Sequence, residues 1–135
     1  MQLRDRMAHR GPDGAGLWDG GHALLAHRRL AVIDLSDAAA QPFGDGQSRL
    51  VYNGELYNDA EIRDSLAAFG VHFRTRADTE TVYKAIEAWR VSALARFRGM
   101  FALAYLGRDR LLLARDPMGI KPLYWRREVR GGRAE

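Results

Sequence analysis

Three short stretches of this chain carry residue types that can polarise a carbonyl and hold a small zwitterion. Asn53-Gly54 follows an apolar run. An Asn side-chain amide and a neighbouring backbone N–H can both point at a developing oxyanion, and Gly lets the backbone approach closely. The same dipeptide after a strand is also the commonest hairpin signal, so both readings stand at this level. Glu55-Leu56-Tyr57-Asn58 and a helical pattern come next, which weakens the hairpin. Arg29 lies in a mainly apolar stretch. A guanidinium is costly to bury without a partner, and its planar fork suits a carboxylate bidentately; an edge-strand arginine facing water is the competing reading. Arg28 cannot share its face, because side chains alternate along a strand. Asp78 precedes a helical pattern and is first an N-cap candidate, with Thr79 as rival. Capping and ligand binding do not exclude each other, since an aspartate has two oxygens.

These residues need elements to hold them. Residues 2–8 read as the last turns of a helix with Leu3 and Met7 on one face, broken by Gly11-Pro12-Asp13-Gly14. Residues 15–19 and 23–33 read as two strands around Gly20-Gly21, and 34–47 as loop. A short strand over 49–52 runs into Asn53-Gly54. A helix then starts at Asn58, with Glu61 completing a capping-box-like pair, Ile62, Leu66 and Phe69 forming its apolar stripe, and Gly70 closing it. A second helix covers 79–89 with Val82, Ile86 and Trp89 at helical spacing, and a short helical piece over 92–97 precedes Gly99. Residues 100–105 and 111–113 read as buried strands joined by 107–110. Asp116-Pro117-Met118-Gly119 is a turn, and Leu123-Tyr124-Trp125 opens another strand. From Arg126 the apolar period is lost.

Composition bounds the function classes. At 135 residues, 47% hydrophobic and 28% charged, the chain fits one ordinary globular domain. Its longest apolar runs, such as residues 100–106, are far too short to span a bilayer, and no secretory signal opens it, so a cytoplasmic location without membrane contact is expected. The net charge of +4 invites a nucleic-acid reading. Half of that charge lies in residues 126–135, with four Arg against two Glu, and elsewhere the signs are interspersed. A solvated surface is expected, not a nucleic-acid footprint. Zero cysteine excludes disulfides, thiolate metal sites and cysteine nucleophiles within these residues. The four histidines have no metal-ligand spacing, and there is no phosphate-binding Gly-rich loop.

Five motifs occur in order: His9-Arg10-Gly11-Pro12-Asp13-Gly14, His27-Arg28-Arg29-Leu30, Tyr52-Asn53-Gly54-Glu55-Leu56-Tyr57-Asn58, Ala77-Asp78-Thr79-Glu80, and Arg115-Asp116-Pro117-Met118-Gly119-Ile120-Lys121-Pro122-Leu123-Tyr124. Together they resemble the N-terminal glutaminase domain of glutamine-hydrolysing asparagine synthetases, a class II glutamine amidotransferase of the N-terminal-nucleophile (Ntn) hydrolase kind. The resemblance implies an α/β (α+β) four-layer αββα sandwich over residues 1–125, with 126–135 a divergent basic tail. It implies Asn53 and Gly54 as the oxyanion hole, and Arg29, Val32, Ile33, Asn53, Gly54, Glu55 and Asp78 as the glutamine-binding set. In that set Arg29 would take the α-carboxylate and Asp78, with Glu55 nearby, the α-ammonium. His9, Asp116 and Lys121 are expected to be structural.

The family's nucleophile is a cysteine exposed as the first residue, whose freed amino group acts as base. Only eight residues precede His9 here, so the first strand, that cysteine and the later strands are expected to be missing and the sandwich incomplete. The expectation is therefore a partial glutaminase domain, inactive alone, with a non-catalytic glutamine-binding or partner-docking module as the alternative. Glutamine and a synthetase domain or subunit are the implied partners, without nucleic acid. No cofactor is expected in this chain; ATP and magnesium would belong to the synthetase domain.

Overall fold

The computed structural model describes residues 2–29, 40–130 and 133–134. Its centre is an antiparallel sheet of three strands, β3 (Arg49–Leu56), β4 (Gly99–Leu106) and β5 (Leu111–Arg115), in the order β3-β4-β5. Two more strands, β1 (Gly14–Asp19) and β2 (Leu24–Arg29), form a separate antiparallel pair. Ahead of them lie a short helix α1 (Gln2–Asp5) and a 3₁₀ turn over Ala8–Arg10. Helices α2 (Asp59–Ala67) and α3 (Asp78–Trp89) cover one face of the three-stranded sheet, and a 3₁₀ segment over Arg90–Arg96 leads back to β4. Two short strands, β6 (Val129–Arg130) and β7 (Arg133–Ala134), pair with each other near the end.

The core is the layer between that sheet and the helices. Leu50, Tyr52 and Leu56 alternate inward along β3, Phe101, Leu103 and Tyr105 along β4, and they meet Ile62, Leu66, Val82, Tyr83 and Ile86 from the helices. Burial of each large apolar side chain contributes about 1.5–3 kcal/mol before conformational entropy is counted. The loop between the helices is fastened by a fully buried carboxylate. Glu80 accepts from the backbone N–H of Arg74 at 3.0 Å and of Thr75 at 2.7 Å, and from the Thr75 hydroxyl at 2.9 Å. Arg63 closes the same loop by donating to the Thr75 and Ala77 carbonyls.

Several local expectations change in three dimensions. The strand expected over 49–52 continues to Leu56, so Asn53-Gly54 lies inside β3 and is not a turn. It pairs with Ala102 and Phe101, a partnership of long sequence separation that no local pattern encodes. Asn58 does precede α2, but its side chain makes no cap; it spans instead to the Arg96 carbonyl and the Arg98 N–H. The capping box with Glu61 is therefore not formed. Gly70, with φ 79°, ends the α2 region as expected, and Val71 N–H returns to the Leu66 carbonyl. Phe69 falls beyond the last helical turn and is 80% exposed instead of packed. Asp78 is the first residue of α3, and Ala77 takes the cap position. Leu123-Tyr124-Trp125 forms no strand: no described strand pairs with it, and Tyr124 and Trp125 face outward.

Candidate functional site

The register of β3 decides which of its groups are available. In an antiparallel pair, residues alternate between directing their N–H and C=O at the partner strand and directing them away. Tyr57 N–H bonds the Arg98 carbonyl, so the odd-numbered residues of β3 face β4. The even-numbered residues present their main chain at the outer edge. Leu50 uses that edge to exchange two bonds with Phe43, at 2.7 and 2.8 Å. Tyr52 uses it on the Gln41 side chain, whose Oε1 accepts from Tyr52 N–H at 2.7 Å and whose Nε2 donates to Tyr52 C=O at 3.0 Å. Leu56 N–H donates to Asp78 Oδ2 at 3.0 Å. Gly54 lies in the same phase between Tyr52 and Leu56, so its N–H points out along this edge.

The side chains on either side of Gly54 turn the other way. Asn53 and Glu55 are exposed and share the sheet face opposite the helices. The Asn53 side chain and the Gly54 N–H therefore flank one corner of the strand, with Glu55 beside it. Glycine at 54 has a structural cause too. A Cβ there would come within 2.3 Å of the Met100 carbonyl oxygen and 2.7 Å of Phe101 Cβ, so close cross-strand packing, and not only ligand approach, requires it.

Asp78 enters this edge from α3. Besides Leu56 N–H, its Oδ2 accepts from the Tyr52 hydroxyl at 3.2 Å. Burial pushes the Asp78 carboxyl above its ordinary value, and the bonds from Leu56, Tyr52 and the Thr79 N–H offset only part of that. The Tyr52 hydroxyl is pushed up as well, first by burial and then by the Asp78 charge. Along the strand Gly54 and Leu56 are two residues apart, so the Gly54 N–H and the Asp78 carboxylate lie roughly 7 Å from each other on one edge.

Arg29 arrives from β2. Alternation is visible there: Arg28 turns to Asp5, with Nη2 at 2.9 Å from Oδ1, while Arg29 shares the opposite face with His27. That face looks toward β3, because the His27 ring reaches the backbone of Tyr52. Burial, and then the neighbouring Arg29 charge, hold the His27 imidazole down to about 4. Its Nδ1 is shielded from water and has no hydrogen-bond partner among the described residues. Val32 and Ile33 lie outside the described residues. Asn53, Gly54, Glu55 and Asp78 thus lie at one end of β3, with Arg29 on the strand that approaches β3. The side chains of Asn53 and Glu55 are on the face away from the helices, and Asp78 enters the outer edge from α3.

Two further residues hold this arrangement together, neither of them among the expected site residues. Gln41 bridges β3 to α3 through a 3.3 Å contact to Thr79 Oγ1, and its own carbonyl fills the space a Cβ on Gly16 would need. Tyr52 joins both strands and helix. By contrast Asp116 is structural, as its turn sequence implies. It is buried, and its carboxylate collects N–H bonds from Phe101, Ile120 and Lys121. Burial alone would push it up; the backbone amides outweigh this and hold it below the ordinary value. A groove of about 1120 Å³, lined by Ser48, Tyr83, Glu87 and Tyr105 among others, shares no residue with the constellation around Gly54. Among the described residues no cluster of His, Asp and Glu has the make-up of a metal site, and no helix is long and apolar enough to cross a membrane.

Comparisons with known proteins bear on this geometry. The asparagine synthetase [glutamine-hydrolyzing] 3 of Bacillus subtilis is 36% identical over 134 residues, covering 94% of this chain and 22% of the relative. The asparagine synthetase B [glutamine-hydrolyzing] of Escherichia coli is 37% identical over 130 residues, covering 92% of the chain and 23% of the relative. The chain thus spans between a fifth and a quarter of the length of these relatives. In structure it is similar to the glutamine phosphoribosylpyrophosphate amidotransferase of B. subtilis, with a TM-score of 0.68 over 87% of the chain and 34% of that protein. At 22% identity this likeness shows the fold, the expected Ntn-hydrolase sandwich in part. A profile described as the glutamine amidotransferase domain matches residues 1–133, and the chain belongs to that family.

Proposed function

We propose that this chain is the glutamine-recognising part of an asparagine synthetase-like amidotransferase. The observation that carries the reading is the outer edge of β3. There the Gly54 N–H and the Asp78 carboxylate lie on one line, with Asn53 and Glu55 at the adjoining corner and Arg29 on the strand facing it. Arg29 would take the α-carboxylate bidentately, and Asp78 with Glu55 would take the α-ammonium. Val32 and Ile33 would complete the binding wall. That fixes the substrate's side chain so that its amide carbonyl meets the Asn53 side-chain amide and the Gly54 N–H, two preset donors for an oxyanion. Opposite charges at the two α-substituents reject simple amides, which carry neither.

These 135 residues contain no cysteine, so the chain supplies recognition and polarisation but not the attacking thiolate. In the whole protein, ammonia released from glutamine would pass to a synthetase domain or subunit using ATP and magnesium to form asparagine. Calorimetric titration of the chain with L-glutamine tests the reading. Binding that Arg29→Ala or Asp78→Ala abolishes supports it; no binding by the unaltered chain overturns it. Ammonia release by the chain above that of Asn53→Ala would overturn the absence of catalysis.

A further inference from the structure

Resting on the glutamine-binding reading, we propose that Tyr52 is the positioning residue for Asp78, capturing one carboxylate oxygen so that the other is presented to the ligand's ammonium. The assignment follows from how Oδ2 is used. It receives both the Tyr52 hydroxyl at 3.2 Å and the Leu56 N–H at 3.0 Å, which come from the inward face and the outer edge of the same strand. Two donors from fixed backbone positions define the plane of the carboxylate. Oδ2 is thereby committed twice to β3. The Thr79 N–H also bonds the carboxylate, but an oxygen accepts more than one bond, so Oδ1 keeps room for a cation. Geometry alone would allow either oxygen to serve; the tyrosine removes that choice.

Tyr52 can do this because it is itself immobilised. Its ring is buried in the core, and Gln41 grips its main chain on both N–H and C=O. The same glutamine touches Thr79, the residue after Asp78. Strand and helix are thus fastened to each other at consecutive residues, so a shift of α3 along β3 would break these bonds together. The charged groups facing the pair are Asp59, at the start of α2, and Glu55 on β3. Asp59 is already engaged by Arg63 at 2.9 Å. Neither donates to Asp78, which leaves the tyrosine as the side chain that fixes its orientation among the described residues.

The variant that isolates this role is Tyr52→Phe, which keeps the packed ring and removes the hydroxyl. Loss of one bond to a charged group predicts L-glutamine affinity falling about tenfold. Carbon-13 NMR of the Asp78 carboxyl in the ligand-free chain should show its titration moving to higher pH, because the removed bond favours the charged form. A tyrosine that only fills the core would change neither readout. Unchanged affinity and unchanged titration in Tyr52→Phe overturn the proposal. If the unaltered chain binds no glutamine, the glutamine reading fails, and the Asp78 titration still decides the positioning role by itself. If Tyr52→Phe does not fold, hydroxyl-proton exchange at Tyr52 in the unaltered chain decides: slowed exchange supports the bond, and exchange as fast as at exposed Tyr124 overturns it.

Discussion

Asp78 at the start of α3 and Asp116 in the turn after β5 are both carboxylates held by backbone amides, yet they are held differently. Asp116 spends both oxygens on the protein: Oδ1 on Ile120 N–H, Oδ2 on Phe101 and Lys121 N–H. Its charge is satisfied and its titration is held low. Asp78 has its two bonds from β3, those of the Tyr52 hydroxyl and the Leu56 N–H, on one oxygen, and burial outweighs these and the Thr79 N–H to leave its titration high. A carboxylate whose amides outweigh its burial is a rivet. One whose burial outweighs its bonds keeps the capacity for a further partner that the proposed ammonium contact requires.

The comparison can be broken most forcefully at a third carboxylate of the riveting kind. Glu80→Ala leaves two backbone N–H groups and the Thr75 hydroxyl without their acceptor inside the fold. It should cost roughly 3 kcal/mol or more in urea unfolding, since each orphaned donor costs about 1–3 kcal/mol. Glutamine affinity of the chain that remains folded should be unchanged. Asp78→Ala should do the reverse, lowering glutamine affinity about a hundredfold in calorimetry with a much smaller effect on unfolding. A large stability loss at Asp78 with no binding loss would place it with the rivets.

The pH dependence sharpens the same contrast through opposite signs. Asp116 titrates below 3.8 in the fold, so its stabilisation is full above that value and is lost as pH falls through its folded value. Asp78 titrates above 3.8, so the fold binds its proton more tightly and stability falls as pH rises from 3.8 through the folded value. Comparing melting temperatures of Asp116→Asn and Asp78→Asn with the parent from pH 3 to 6, by about half-unit steps, should show deviations of opposite slope. His27 adds a third window. Held near 4 against an ordinary 6.5, it contributes stability that is lost as pH falls from 6.5 to 4, at most about 3 kcal/mol. His27→Phe should flatten that segment of the melting curve.

The smallest effect belongs to a carboxylate that grips nothing firmly. Glu61 reaches Arg98 at 3.8 Å on an exposed surface. Glu61→Ala should change unfolding by no more than about 0.5 kcal/mol, and a larger loss would mean that the capping role excluded by the structure operates in solution.

How much of this was legible in the sequence follows from the range of the interactions. The stripes of α2 and α3 and the apolar run of β4 read correctly because each is a local period meeting one core. Residues 111–113 do form a strand, but not the expected buried one: β5 lies at the sheet edge, Leu111 and Leu113 are exposed, and only Leu112 and Ala114 reach the core. Asn53-Gly54 read as a possible turn because the strand that pairs with it lies about fifty residues further on, and the Met100 carbonyl that forbids a side chain at 54 is equally remote. Phe69 fitted the helical stripe, but Gly70 ended the region before the stripe could use it. Gln41 sits among turn-forming residues and looks like loop; its bonds to Tyr52 and Thr79 exist only after strand and helix have met. Tyr52 read only as the end of a short strand; its place in the core and its hydroxyl bond to Asp78 depend on α3, which packs there only in three dimensions.

The placement of Asn53-Gly54 inside a paired strand also governs how the protein ages. An asparagine followed by glycine is prone to losing its amide when the glycine nitrogen attacks the side chain, a reaction that needs a freely turning backbone. Here Asn53 has its main chain committed to Ala102 across the sheet, and the extended conformation holds the Gly54 nitrogen away from the Asn53 side chain. Spontaneous deamidation at this position would therefore report on the opening of β3, a slow chemical clock built into the strand.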